Sequence, residues 1–378
     1  MVGTLGKTCG ALQLALLTAS LTTTLTIAPA EAVPRDSYGE PLVIAHRGAS
    51  GYRPEHTLEA YRLAIQMGAD YVEPDLVSTK DGVLVARHEN YLDDTTDVAA
   101  HPEFADRRTT KTIDGEPITG WFSEDFTLAE LKTLRAKERL PLVRPANTQY
   151  DGQFEVPTLH EVLALVQEEQ RRTGRRIGVY PETKHPSYFS SIGLAMERPL
   201  LASLRRHGMD RPGSKVFLQS FETTNLRQLN AMTRLPIIQL LDASGAPWDL
   251  ESTGDPRTYS DLTTRRELRR IARYADGIGP HKDLVLPRDE AGNLTDPSTL
   301  VRDAHRKGLV VHVFTLRIEN QFMANDFRVG TDPNAPGNLS AEIRAFLDAG
   351  IDGLFTDNPD VAVSARKDWQ LQGGRPAA

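Results

Sequence analysis

Cysteine is all but missing from this sequence: the only one, Cys9, lies within the first 32 residues. Those residues read as a secretory leader. Lys7 is their only charge before Glu31, an apolar and threonine-rich run spans 11–28, and Ala30-Glu31-Ala32 has the small-x-small form of a cleavage site. With the leader cut near Ala32 no thiol remains, which excludes disulfides and cysteine catalysis and suits an oxidising compartment. No lysine- or arginine-rich run forms a basic stripe. Loss of the leader removes one base and one acid and leaves the net charge at −7. Binding to a nucleic-acid backbone is therefore not expected. A long apolar run is absent too, since residues 21–26 are mostly threonine, so no stable membrane insertion is expected after cleavage. No fixed 20–50-residue period runs along the chain, which excludes a solenoid.

What the sequence does have is alternation. Strand-like runs at 42–45, 71–77, 177–181, 216–219, 236–240, 277–279, 309–315 and 353–356 are separated by amphipathic patterns at 57–67, 158–172, 190–207, 222–232, 263–274, 297–307 and 340–349. Alternating strands and helices predict a parallel sheet covered by helices. Eight such strands predict an α/β fold, a TIM (β/α)8 barrel over residues 38–372. Residues 91–155 break the rhythm and predict a small inserted subdomain after the second strand. Its Trp121, Phe122 and Phe126 read as packing the insertion onto the barrel. Thr127 with Glu130, and Thr158 with Glu161, have capping-box spacing; Thr57 can cap a helix through its hydroxyl alone.

Chemistry concentrates between residues 42 and 90. Glu73 and Asp75 lie two apart on a predicted strand and so share a face. Buried like charges repel unless a cation or proton intervenes, and an oxygen-only set suits calcium or magnesium better than zinc. Asp81-Gly82 reads as a two-residue hairpin turn. Counting back from that turn pairs Thr79 with Leu84 and Asp75 with His88. His46 follows the first predicted strand at its carboxyl end, where barrel enzymes place catalytic groups. Two histidines near one site can act as acid and base near neutral pH. Arg47 offers a planar cation suited to phosphate. The third strand ends in Glu182-Thr-Lys184 and brings another acid and another cation to the same rim. Gln219, Ser220, Phe221, His281, His312, Arg317 and Asp357 stand at later strand ends and read as packing or supporting residues.

The stretches AHRGASGYRPEHTLEAY (45–61), GADYVEPDLVSTKDGVLVARHENYLDDTTDVA (68–99), IGVYPETK (177–184), YADGIGP (274–280) and GLFTDNPDVAV (353–363) resemble the glycerophosphodiester phosphodiesterase family, most closely its periplasmic or secreted bacterial type. The resemblance implies a TIM barrel with an inserted subdomain after the second strand. It implies hydrolysis of deacylated phospholipids, such as glycerophosphocholine or glycerophosphoethanolamine, to sn-glycerol 3-phosphate and an alcohol. It assigns His46 and His88 as the acid/base pair, and Glu73, Asp75 and Glu182 as ligands of one divalent cation, calcium before magnesium. Arg47 and Lys184 become phosphate contacts, and Glu55 a support on the glycerol or metal side. Two departures stand out. Glu89 follows His88 where the family often has aspartate, and Phe314 stands near a position where many members carry tryptophan. Arg317 resembles the periplasmic subgroup, and the likeness implies that Phe314 and Arg317 stand with Arg47, Lys184 and Glu55 on the substrate and phosphate side of the site. With few contacts to the alcohol evident, similar turnover of choline, ethanolamine and glycerol diesters is expected. The rival readings are a phospholipase D-like lyase, a teichoic-acid-directed phosphodiesterase and a secreted binding protein without activity; a proton-transfer pair argues against the last. The oligomeric state is not legible.

Overall fold

The computed structural model describes residues 1–6 and 40–374. The leader expected over residues 1–32, with Cys9, falls largely outside them. No helix among the described residues is long and apolar enough to cross a membrane.

Thirteen strands are described: β1 (Leu42–His46), β2 (Tyr71–Glu73), β3 (Asp75–Ser78), β4 (Leu84–Ala86), β5 (Thr109–Ile113), β6 (Glu116–Gly120), β7 (Gly178–Val179), β8 (Glu182–Thr183), β9 (Leu218–Ser220), β10 (Ile237–Leu241), β11 (Gly277–Pro280), β12 (Val310–Leu316) and β13 (Gly353–Thr356). Three of the five beyond eight lie outside the parallel barrel, β4 antiparallel to β3 and the β5–β6 hairpin of the insertion, and proline accounts for the other two. Pro74 separates β2 from β3, and a residue with no N–H donor interrupts a ladder. Pro181 likewise separates β7 from β8. Rejoined across these breaks, the strands close in parallel order: β1 pairs with β2 and with β13, β2 with β7, β3 with β8, β8 with β9, and β9 through β13 in sequence. The result is the expected eight-stranded TIM barrel.

Helices on the outside follow the predicted pattern, among them Leu58–Gln66, Leu159–Thr173, Thr223–Met232 and Leu339–Asp348. Both capping boxes form, at Thr127 with Glu130 and at Thr158 with Glu161. The Thr57 hydroxyl accepts from the Ala60 amide. Such caps contribute about 1 kcal/mol each. The single helix expected over 190–207 is two, Pro186–Ser191 and Glu197–Arg206, parted at Gly193 with φ +80°.

Side-chain alternation sorts the core into two parts. Val43, Ala45 and Val72 point outward to the helices. Leu42, Ile44, Tyr71, Tyr180, Phe217, Ile238, Val310 and Phe355 fill the lumen. Tyr71, Tyr180 and Phe217 pack there with ring centroids 4.9–6.0 Å apart. Aromatic pairs of this kind contribute roughly 0.5–1.5 kcal/mol each beyond their burial. These side chains close the floor of the barrel beneath the cavity at its carboxyl end.

The predicted insertion is built from the antiparallel hairpin β5–β6, short 3-10 turns and the helix Leu128–Leu131. Trp121, Phe122 and Phe126 are buried, and none of the three lines the cavity at the barrel mouth.

Candidate active site

The lumen-facing register of the strands turns polar as it climbs. On β1, Leu42 and Ile44 belong to the apolar floor, and His46, two residues on, lines a cavity of about 440 Å³. On β7 and β8 the same step of two leads from Tyr180 to Glu182 and Lys184, and at the end of β12 from His312 to Phe314. Strand pairing places these residues side by side. His46 is the register partner of Glu73, Asp75 of Glu182, and Glu182 of Gln219.

Glu73, Asp75 and Glu182 meet here, each offering an oxygen within 4.8 Å of the others, and all three are buried. Burial and the neighbouring Asp75 push Glu73 well above the usual carboxylate range. Burial pushes Glu182 up to about 8, against the pull of Lys184. Asp75 lies well below its usual value: burial opposes this, but the hydrogen bond from His56 and the charge of Arg47 outweigh it. Glu182 Oε1 lies 3.1 Å from the Lys184 ammonium, yet receives no aligned hydrogen bond. A buried cluster of three acids must take up protons or a cation. The donor set, all oxygen and compact, fits a hard divalent cation.

Two histidines stand beside the cluster, each held by its own carboxylate. His46 Nδ1 is 2.6 Å from Asp357 Oδ1, and His88 Nδ1 is 2.7 Å from Glu89 Oε1. An ionised carboxylate claims the Nδ1–H tautomer and leaves Nε2 as the basic ring atom. Burial, then the Arg47 charge, lowers His46 to about 4. The same two causes, with Lys184, lower His88 to about 3. Both rings line the cavity, and both are neutral at pH 7.

Cations complete the site. Arg47 lies 3.2 Å from Glu55 and 3.3 Å from Asp75, and its amide donates to Glu73. Lys184 Nζ lies 3.4 Å from His88 Nε2. Arg317 lines the same cavity, with Nε 3.0 Å from Asp357. Phe314 forms part of the wall, edge-on to Phe221 and to His281. Glu55 does not reach the cavity. It is buried and accepts from Arg47 and Arg139, so in this structure it fixes an arginine.

The predicted hairpin register is off by one. The loop spans Lys80, Asp81 and Gly82, because the Thr79 hydroxyl donates to Asp81 and accepts from the Val83 amide, which widens the turn. Ser78 therefore pairs with Leu84, and the Arg87 amide, not His88, meets Asp75. A slip of one residue exchanges the faces of a strand. His88 reaches the cavity because it lies beyond the end of β4.

The sequence left several supporting residues without a role. His56 donates from one ring nitrogen toward Asp75, 3.0 Å away, with the Tyr61 hydroxyl 2.7 Å from the other. Asp357 was visible only as a strand-end residue; counting inward-facing positions from Gly353 through Phe355 would have aimed it at the lumen. Arg139 and Arg144 come from the insertion. Arg144 donates to Glu319, to Asp357 and to the Ser50 carbonyl. No local pattern announces a contact across 213 residues.

Residues 46–361 match the glycerophosphoryl diester phosphodiesterase family. A glycerophosphodiester phosphodiesterase of Arabidopsis thaliana is 38% identical over 330 residues, covering 84% of this chain and 83% of the relative. One from Bacillus subtilis is 31% identical over 335 residues, covering 87% of each. Among solved structures, an Oleispira antarctica phosphodiesterase in complex with the product sn-glycerol-3-phosphate superposes with TM-score 0.55 at 22% identity, over 87% of this chain and 97% of that one. A glycerophosphodiester phosphodiesterase from Agrobacterium tumefaciens gives 0.53 at 20%, over 86% and 99%. At these identities the two structures speak for the fold, and the sequence matches for kinship. The chain belongs to the glycerophosphoryl diester phosphodiesterase family of enzymes.

Proposed function

We propose that this chain hydrolyses glycerophosphodiesters, such as glycerophosphocholine and glycerophosphoethanolamine, to sn-glycerol 3-phosphate and the free alcohol. The observation that carries this reading is a pair of imidazoles lining one cavity, each fixed through Nδ1 by its own carboxylate, together with a cluster of three acids and three cations. Binding alone needs no proton-transfer pair.

One neutral histidine accepts a proton through Nε2 from the attacking oxygen, either water or the diester's own glycerol 2-hydroxyl, as the new O–P bond forms. The other gives a proton to the alkoxide as the old P–O bond breaks. The negative diester offsets the field of Arg47 and Lys184, which raises the proton affinity of the histidine that serves as acid. If the 2-hydroxyl attacks, the alcohol leaves first; water then opens the cyclic ester with the two roles exchanged. Arg47, Lys184 and Arg317 balance charge on the phosphoryl oxygens. Glu73, Asp75 and Glu182 would hold a divalent cation, calcium before magnesium, which supplies Lewis acidity and a template for the glycerol hydroxyls. The leader-like residues 1–32 support action outside the cytoplasm.

The test is phosphorus NMR of glycerophosphocholine incubated with the purified protein. A glycerol 3-phosphate resonance should grow, stop growing after EDTA and resume with calcium faster than with magnesium. A cyclic phosphate as end product would make the enzyme a lyase, and intact substrate under every condition would overturn the reading.

A further inference from the structure

Beside the catalytic cavity lies a second chamber of about 290 Å³, and the two share Glu182, Lys184, Phe221 and Asp242 as a common wall. Their chemistry is opposite. The catalytic cavity sets three arginines and two lysines against four carboxylates. The chamber sets five carboxylates against one lysine and one histidine. Three aromatic rings, Phe221, Trp248 and Tyr259, complete its lining. Phe221 is the partition: its ring is edge-on to Phe314 on the catalytic side, 5.8 Å away, and edge-on to Tyr259 on the other, 5.9 Å away.

The chamber is a built site. Glu222 is 3% exposed, and its carboxylate is held in place by the amide and hydroxyl of Ser187. The tip of the β5–β6 hairpin leans onto Trp248 so closely that a Cβ on Gly115 would come within 2.9 Å of the indole. The neighbouring Asp114 is anchored to His185 at 2.6 Å. One acceptor atom of the lining that takes no part in the acidic cluster, Asp114 Oδ1, is buried and receives no hydrogen bond.

Acids between aromatic faces recognise an organic cation, through Coulomb attraction and the negative faces of the rings. We propose that this chamber receives the cationic alcohol of a zwitterionic glycerophosphodiester, an ammonium or trimethylammonium group, while its phosphate lies in the cation-rich cavity. The inference deepens the diester reading above and rests on it. The shared wall then separates the two charges of one substrate, and the alcohol ceases to be loosely specified.

Initial rates of the purified protein on glycerophosphocholine, glycerophosphoethanolamine and glycerophosphoglycerol test this. The kcat/KM for the choline diester should exceed that for the neutral glycerol diester by about tenfold or more, the factor given by 1.4 kcal/mol. Trp248→Ala and Glu222→Gln should each collapse that ratio toward one, and Trp248→Phe should keep most of it. A readout on the unaltered protein needs no variant to fold. Choline should inhibit competitively at concentrations about tenfold lower than its uncharged isostere 3,3-dimethylbutan-1-ol. Equal turnover of all three diesters, or equal inhibition by choline and the isostere, would overturn the proposal. Absence of any diester cleavage would strike the parent reading instead; calorimetric binding of choline would then still decide whether the chamber takes a cation.

Discussion

The two histidine–carboxylate pairs share a geometry and differ in everything that holds it. His46 and Asp357 are 311 residues apart in sequence and meet because β1 closes against β13, with side chains 10% and 2% exposed. His88 and Glu89 are sequence neighbours beyond the end of β4, with side chains 26% and 32% exposed. Asp357 is fixed from behind by Arg144 and Arg317. Glu89 is fixed by His185, which is itself bound to Asp114 on the hairpin of the insertion. One pair is thus a product of barrel closure and the other of a chain of polar contacts over a loop. Barrel closure resists perturbation up to global unfolding, whereas a loop opens at lower cost.

Removing either ring should have the largest effect. His46→Ala and His88→Ala should each lower kcat for glycerophosphocholine by ~10²–10⁴-fold. A variant that keeps most of its turnover would remove that histidine from the chemistry.

Removing the orienting acid should separate the pairs. Asp357→Asn disturbs the His46 tautomer and leaves Arg144 and Arg317 short of a buried counter-charge. We expect a kcat loss on the order of 10²-fold or more, with a loss of stability of about 3–5 kcal/mol by denaturant titration. Glu89→Gln acts on a pair that is about a third exposed, so about tenfold in kcat and at most about 1 kcal/mol are expected. Equal losses from the two substitutions would erase the distinction between barrel and loop.

The smallest effect is one of pH. Burial disfavours a charged His185, but Asp114 and Glu89 outweigh it and raise the ring to about 9. Its unfolded value is ~6.5. A raised folded value means that the stabilisation is complete below about pH 6.5 and is lost as pH climbs through about 9. The denaturation midpoint should therefore decline over that window, and Asp114→Asn should flatten the decline. A slope unchanged in the variant would detach His185 from the support of the loop pair.

Much of this was legible in the sequence, for reasons of unequal strength. Strand periodicity placed all eight barrel strands, and β13 appears where 353–356 was expected. The alternation of side chains then carried Glu73, Asp75 and Glu182 to one face without any long-range information. The hairpin register failed because a side chain, the Thr79 hydroxyl, and not the Asp-Gly dipeptide, decided the length of the turn. Arg139 and Arg144 were invisible because the charges they answer lie across the fold in Glu55 and Asp357. His56 was hidden for the opposite reason: one histidine among the ten gives no sign of which carboxylate it will steady.

Those two arginines have a practical corollary. A segment that looks like a detachable accessory holds the counterions of two acids sunk beneath the reaction centre. Anyone grafting a foreign segment between β4 and the helix Leu159–Thr173 to retune substrate choice must therefore transplant a guanidinium at each of these places, or the graft will strand negative charge under the chemistry it was meant to redirect.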